Sequence, residues 1–420
     1  MSESVQRRLG TADAVVLGLA AMLGTGVFAV WGPAAAAAGP WLLVAVVLAG
    51  TVAACNAAST ADLAVAHPES GGGYVYGRER IAPGAGRLAG VAFLAGKTSS
   101  AAAAAGVFGS YVLPSQPVAA AVVVIVAVTA LNLAGVRWTA RGAYALVGGT
   151  LAVLLLVVVS GLLGAGESVT PAAVPTTEAP GPVAGGPLGV FTAAGLLFFA
   201  FAGYARIATL GEEVRDPSRT LRRAIEVALA IAMATYLLVG VALIVGLGID
   251  RLATETAPLV TLVDTGPSPS LGVLVRVGAA VAAGSALLSV LVGVSRTGLA
   301  MARRGELPGA LAVVGRRGTP WRADLAGGAV AVVIALLAGP AAAIALSACS
   351  VLVYYAVINL AALRLPPEQR RWPMWTSWAG FVLCLALAVL LPVVQVAITA
   401  LVLVAGWTLV TLLRDPGPPG

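Results

Sequence analysis

The chain has 420 residues, of which 59% are hydrophobic and only 10% charged, and its mean hydropathy is +0.97. Soluble domains carry about 25% charged residues, so a soluble or secreted globular protein is excluded and a polytopic membrane protein is implied. The net charge of +7 and the pI near 9.8 do not call for nucleic acid, because membrane topology accounts for where the basic residues fall.

Residues 1–11 read as a short cytoplasmic segment. Arg7 and Arg8 before an apolar run imitate a signal peptide, but the run is too long and eleven comparable runs follow. The apolar runs lie at about 12–38, 40–63, 86–113, 118–135, 143–165, 188–211, 224–249, 271–298, 323–338, 341–363, 373–391 and 393–413. They predict an all-α membrane protein of twelve transmembrane helices in a single domain, residues 12–413, with a cytoplasmic tail at 414–420. The runs at 118–135 and 323–338 are short for a bilayer core about 30 Å thick. With the N-terminus cytoplasmic, 22 of the 25 basic residues fall in or beside cytoplasmic segments, the bias that sets orientation. Arg251 and Arg276 fall outside, and Lys97 lies within a span. Both termini are then cytoplasmic and the protein sits in the cell membrane.

The first run carries Leu23-Gly24-Thr25-Gly26-Val27-Phe28 near its middle. Glycine costs about 1 kcal/mol against alanine inside a helix. Unwound backbone at membrane depth is tolerated only against protein or a water-filled cavity. A break here is therefore a candidate solute site near the bilayer midplane. In the third run stands Lys97, the only lysine. A central lysine costs about 3 kcal/mol on insertion scales, so it either snorkels to the cytoplasmic surface or faces the cavity and exchanges a proton. Residues 167–187, rich in Pro, Gly, Thr and Ala, read as an external linker between two halves. The segment 250–270 reads as a second external loop.

The sixth run holds Phe198-Phe199-Ala200-Phe201-Ala202-Gly203-Tyr204. Glycine in a span commonly serves close helix packing, but runs one and six are the first members of two five-span units. Five is odd, so the second unit is inverted relative to the first. Interrupted spans at matching positions of inverted halves mark a transporter site. A half-helix beginning near Gly26 would offer N–H groups to a carboxylate. One ending at Phe199 to Phe201 would offer carbonyls to an ammonium. An α-amino acid satisfies both, its side chain facing Phe198, Phe201 and Tyr204. Beyond the break, Arg206, Glu212, Glu213 and Arg215 are candidates for a cytoplasmic gate of salt bridges; helix-end electrostatics is the plainer reading.

Two cytoplasmic stretches add to this: His67-Pro68-Glu69-Ser70-Gly71-Gly72-Gly73-Tyr74 after the second run, and Gly211-Glu212-Glu213-Val214-Arg215-Asp216-Pro217 after the sixth. With the Gly-x-Gly break, the chain resembles the amino acid–polyamine–organocation permeases over nearly its whole length. The resemblance implies the leucine-transporter-like 5+5 inverted repeat, with repeat one at about 12–165, repeat two at about 188–363, and extra helices at about 373–413. It also implies discontinuous helices 1 and 6 and alternating access. The substrate-binding residues are then Leu23, Gly24, Thr25, Gly26, Val27, Phe198, Phe201, Ala202, Gly203 and Tyr204, with Lys97 the coupling candidate. In arginine/agmatine-type members a glutamate follows the helix-six break. Here Ala205 and Arg206 stand there, so proton sensing by that residue does not carry over.

Residues near the span centres include no carboxylate. Neutral amino acids are favoured over cationic amino acids or polyamines, which form the alternative, carried by an antiporter. Proton coupling or exchange is favoured over sodium. Ser285, Ser289 and Asn56 are polar groups within spans that hydrogen-bond neighbours or, for the serines, coordinate an ion. Cys55, Cys349 and Cys384 read as small core residues. No cofactor, metal site or nucleophile pattern is visible, so an enzyme is not expected. A channel or non-transporting sensor is the reading from another class. The partners are a small amino acid, a proton and the lipid bilayer, with the protein a monomer or homodimer.

Overall fold

A computed structural model describes residues 9–67, 71–135, 140–164, 185–208, 214, 216–315 and 318–412. The described residues are all-helical apart from one isolated parallel bridge between Leu9 and Val214. The helices are α1 (Thr11–Met22), α2 (Gly26–Ala29), α3 (Trp31–Ala38), α4 (Leu42–Ala66), α5 (Gly73–Arg80), α6 (Pro83–Val112), α7 (Pro117–Leu133), α8 (Ala140–Leu163) and α9 (Pro187–Phe201). After a 3-10 turn (Ala202–Tyr204) come α10 (Ala205–Ala208), α11 (Pro217–Leu247), α12 (Ile249–Thr254), α13 (Pro258–Asp264) and α14 (Gly272–Arg303). The last four are α15 (Trp321–Leu337), α16 (Pro340–Ala362), α17 (Met374–Val389) and α18 (Val393–Leu412).

Among the described residues nine helical stretches are long and apolar enough to cross a membrane, and α7 and α17 are shorter apolar helices. Proline opens α6, α7, α9, α11 and α16, the position where its missing N–H costs nothing. Exposed valines and leucines on α7, α15 and α18 suit lipid rather than water. The external loop expected at 250–270 is instead partly helical. Leu252, Leu259, Val260, Leu262 and Val263 are buried, so α12 and α13 lie on the bundle as short amphipathic pieces. The linker at 167–187 lies mostly outside the described residues, as do the tail at 414–420 and most of residues 1–11.

The packing follows a rule. α1 packs on α11, and α9 on α4. α8 packs on α11 and α14, while α16 packs on α4 and α6. α6 meets α7 and α15, as α14 meets α15 and α7. The short α13 sits on α14 and α8, as the short α5 sits on α6 and α16. Each of these contacts has a counterpart five apolar segments along the chain. α17 and α18 pack outside this scheme, against α4, α16 and α6.

Candidate functional site

α1 ends at Met22, and Leu23, Gly24 and Thr25 form a bend before α2 begins at Gly26. Helical hydrogen bonding stops at Leu23 N–H, which still reaches Leu19 O at 2.7 Å, and restarts with Phe28 N–H to Thr25 O at 3.1 Å. The N–H groups between, from Gly24 to Val27, have no helical acceptor. Thr25 is buried, and its Oγ1 makes no hydrogen bond among the described residues. Amides without helical acceptors, with a hydroxyl among them, suit an anionic group.

The helix-six region behaves differently. It tightens into the 3-10 turn after Phe201 and resumes as α10, with Ala202 N–H bonded to Phe198 O. The expected unwinding is thus a tightening of the backbone, and carbonyls expected to be free are partly engaged.

The two interruptions lie against each other. A Cβ on Gly26 would overlap the Ala200 backbone and lie 2.6 Å from Ala200 Cβ. A Cβ on Gly203 would lie 2.5 Å from both Ala21 O and Met22 N. Each glycine lets the opposite helix approach to backbone contact. Gly24 is less confined, with Ala286 Cβ 3.1 Å from its would-be Cβ.

A residue that sequence reasoning passed over joins them. Tyr236 of α11 places its hydroxyl 2.7 Å from Met22 O and 3.0 Å from Ala200 O, donating to these carbonyls at the end of α1 and near the end of α9. Its ring stands edge-on to Phe201 at 4.8 Å. Tyr111 of α6 does similar work on α2, donating to Phe28 O at 2.9 Å. An aromatic in a span with a hydroxyl to satisfy was the available signal; its partner, 214 residues away, was not.

The proposed aromatic pocket is divided. Phe198 and Tyr204 pack on Tyr355 of α16, at 5.7 and 5.3 Å, whereas Phe201 packs on Tyr236. Leu23, Gly24, Thr25, Gly26, Val27, Phe198, Phe201, Ala202 and Tyr204 are all buried and Gly203 is half-buried, so the crossing lies inside the bundle.

Lys97 stands apart from the crossing. It is half-buried on α6, with Nζ 5.8 Å from the Phe93 ring centre. Phe93 packs on Tyr354 at 5.4 Å, and Tyr354 on Tyr355 at 5.2 Å, so an aromatic line connects the lysine to the helix-six turn. Arg206 is exposed on α10. Glu212, Glu213 and Arg215 lie outside the described residues. Ser285 donates to Ala282 O within its own helix, and Ser289 is exposed.

The glycine motif after α4 ends in an unforeseen latch. Gly72, at φ 53°, turns the chain into α5, and Gly73 N–H donates to Tyr354 Oη at 2.9 Å. Arg78 of α5 pairs at 2.9 Å with Glu306, a buried carboxylate just past α14. Arg304 lies over the Tyr74 ring at 5.3 Å. Burial and the Glu306 carboxylate push the Tyr74 hydroxyl up to about 12.

A family model described as "Amino acid permease" matches residues 13–418. An uncharacterized transporter of Mycobacterium tuberculosis (strain ATCC 25618 / H37Rv) is 48% identical over 405 residues, covering 96% of this chain and 90% of that protein. The branched-chain amino acid permease BcaP of Bacillus subtilis (strain 168) is 26% identical over 340 residues, covering 74% of this chain and 70% of that protein. The vacuolar cationic amino acid transporter 2 of Arabidopsis thaliana is 26% identical over 394 residues, covering 87% and 61%.

Proposed function

Because the chain belongs to the amino acid permease family, whose members here are transporters rather than enzymes, we propose that it carries neutral, chiefly apolar amino acids by alternating access. The observation that carries this reading is the crossing of two interrupted helices at Gly26 and Gly203, buried within the bundle. In this reading the amides of Gly24 to Val27 and the unengaged Thr25 hydroxyl take the substrate carboxylate. The Ala200 carbonyl, just before the helix-six turn, takes the ammonium once Tyr236 yields it. The side chain meets Phe198, Ala202 and Tyr204.

The recurrence of each helix contact five spans along supports a 5+5 inverted repeat within twelve spans, with α17 and α18 as additions. The basic loops support cytoplasmic termini and a plasma-membrane location. Lys97, without a hydrogen-bond or ion-pair partner among the described residues, is the coupling candidate for proton symport or exchange. Arg206, Glu212, Glu213 and Arg215 remain the proposed inner gate.

A neutral substrate is favoured because the residues packed at the crossing are apolar, aromatic or hydroxylic. The similarity to a branched-chain amino acid permease agrees with it. The similarity to a cationic amino acid transporter keeps cationic amino acids or polyamines as the second reading. The test is a thermal-shift screen of the purified protein over amino acids and polyamines, followed by uptake into liposomes with an imposed pH gradient. Stabilisation and uptake confined to cationic compounds overturn the neutral assignment.

A further inference from the structure

Past the crossing, toward the end of α4 and the start of α11, a cavity of about 200 Å³ lies between the two helices. Its floor is Ala54, Ala57, Ala58 and Ala61 of α4, and its far wall is Ile225 and Leu229 of α11. Such a floor offers water no side-chain partner, and an ordered water needs about two to four. Hydrocarbon needs none. The surrounding flank suits lipid: Val44, Val47, Thr51 and Ala54 form an exposed stripe on α4, and Val227, Ala230, Ala234 and Leu238 another on α11.

The mouth of the cavity is aromatic and charged. Trp372, just before α17, and Arg222 both border it, the guanidinium standing 5.0 Å from the ring centre. An adjoining recess shares these two residues and adds Asp62 and Arg371. Two acidic side chains face the mouth, and both are engaged. Asp62 Oδ2 accepts the backbone N–H of Arg371 at 3.2 Å and of Trp372 at 3.3 Å, which fixes the segment ahead of α17 beside the cavity. Glu226 Oε1 accepts from Arg222 Nε at 3.0 Å. A guanidinium has five N–H donors. The remaining four of Arg222, and all of those of Arg371, make no hydrogen bond among the described residues. Trp375 and Trp378 are exposed on the first turns of α17, as in the aromatic belts that stand at headgroup level. Arg219 and Arg223, exposed on the first turns of α11, add to the positive field there. Membrane orientation accounts for arginines at this end of the bundle. It does not account for two of them bordering one apolar cavity.

We propose that this cavity binds an anionic phospholipid, with one acyl chain along the alanine floor and the headgroup phosphate held by Arg222 and Arg371. Basic pockets between membrane helices recognise such headgroups, and a guanidinium meets phosphate through paired hydrogen bonds. From Arg222 to Leu229 α11 rises about 10 Å, which carries the chain from headgroup level into the hydrocarbon. A zwitterionic lipid brings a cation to the same arginine-rich mouth and binds less well. The site is independent of what occupies the crossing. A lipid here braces α4 against α11, the helix whose Tyr236 ties the two interruptions together.

The test titrates dioleoylphosphatidylglycerol into the purified, lipid-stripped full-length protein and counts bound molecules by native mass spectrometry. Dioleoylphosphatidylcholine, dioleoylphosphatidylethanolamine and inorganic phosphate are run in parallel. The first phosphatidylglycerol should bind at least about tenfold more tightly than either zwitterionic lipid, and phosphate alone should not bind. Arg222→Gln/Arg371→Gln should bring the three lipids to parity. Ala54→Phe, which fills the cavity from its rim, should weaken all three. Arg219→Gln/Arg223→Gln removes the same charge from the same end outside the cavity and should keep the preference. All five replaced residues are exposed, so the variants keep the fold. Parity in the parent, or a preference for phosphatidylethanolamine, overturns the proposal. Equal loss in the two arginine pairs means a diffuse field and also overturns it, as does binding that Ala54→Phe leaves unchanged. Phosphate binding as tightly as lipid assigns the arginines to a free anion and removes the lipid.

Discussion

Replacing Tyr236 with phenylalanine removes one hydroxyl and leaves the rest of the side chain in place. The edge-on contact with Phe201 at 4.8 Å survives, so any effect belongs to the hydrogen bonds. Met22 O and Ala200 O lose the donor that sits 2.7 and 3.0 Å away, in a buried region where water does not replace it. Stranding buried acceptors costs about 1–3 kcal/mol. A domain of 150–250 residues shifts by about 2–4 °C per kcal/mol, and the shift shrinks with size. For this chain, at about 1 °C per kcal/mol, a fall in Tm of about 1–3 °C is expected. Fluorescence melting of the detergent-solubilised protein measures it, with Tyr144→Phe as control, since Tyr144 bonds Asp13 at the exposed surface. Hydrogen exchange at residues 21–26 should rise in the Tyr236 variant. A Tm within a degree of the parent, with unchanged exchange there, would refute the idea that this hydroxyl joins the two interruptions.

Gly24→Ala should be tolerated, because only a small shift of Ala286 is needed. Gly26→Ala and Gly203→Ala press on backbone and should each cost about 1–3 kcal/mol and abolish substrate-induced stabilisation; equal tolerance at all three positions contradicts the crossing geometry. Arg78→Ala strands the buried Glu306 carboxylate and should cost about 3 kcal/mol, while Arg222→Ala, breaking the exposed pair with Glu226, should cost under about 1 kcal/mol; melting curves rank the two. With its Tyr74 hydroxyl raised to about 12, the folded state holds that proton more tightly than the unfolded chain does. This contribution is complete below about pH 10 and is lost as pH rises toward 12. Tyr74→Phe should therefore melt with a shallower decline over that window, and parallel curves would count against the assignment. Lys97→Ala should lose pH-gradient-driven uptake while keeping substrate-induced stabilisation; full proton-dependent uptake in liposomes removes Lys97 from coupling.

Hydropathy placed the long helices to within a few residues, as with 40–63 against Leu42–Ala66 and 341–363 against Pro340–Ala362. Helices such as α14 run past their apolar cores because backbone hydrogen bonding continues where the side chains turn polar. Gly24 and Gly26 announced the first interruption because helix propensity is a local property. The helix-six region was harder: a 3-10 turn and an unwound segment leave the same mark, one glycine among aromatics. α5, α12 and α13 were invisible because burial against distant helices, not their own composition, holds them. The Tyr236–Met22 and Tyr111–Phe28 bonds and the Arg78–Glu306 pair join residues more than eighty apart, and no periodicity carries that information.

Backbone contact at Gly26 and Gly203 also has a mechanical meaning. Between most packed helices lie side chains that change rotamer and absorb relative movement. Here main chain rests on main chain, with no compliant layer between. A tilt of α1 is passed directly to the helix-six turn, and a displacement of α9 to α2 and α3. The two helices work as meshed gears rather than as neighbours, which disfavours states with one of them moved and the other left behind. In the alternating access proposed above, slippage, in which the path opens to both sides at once, is discouraged by geometry before any charge or ligand acts.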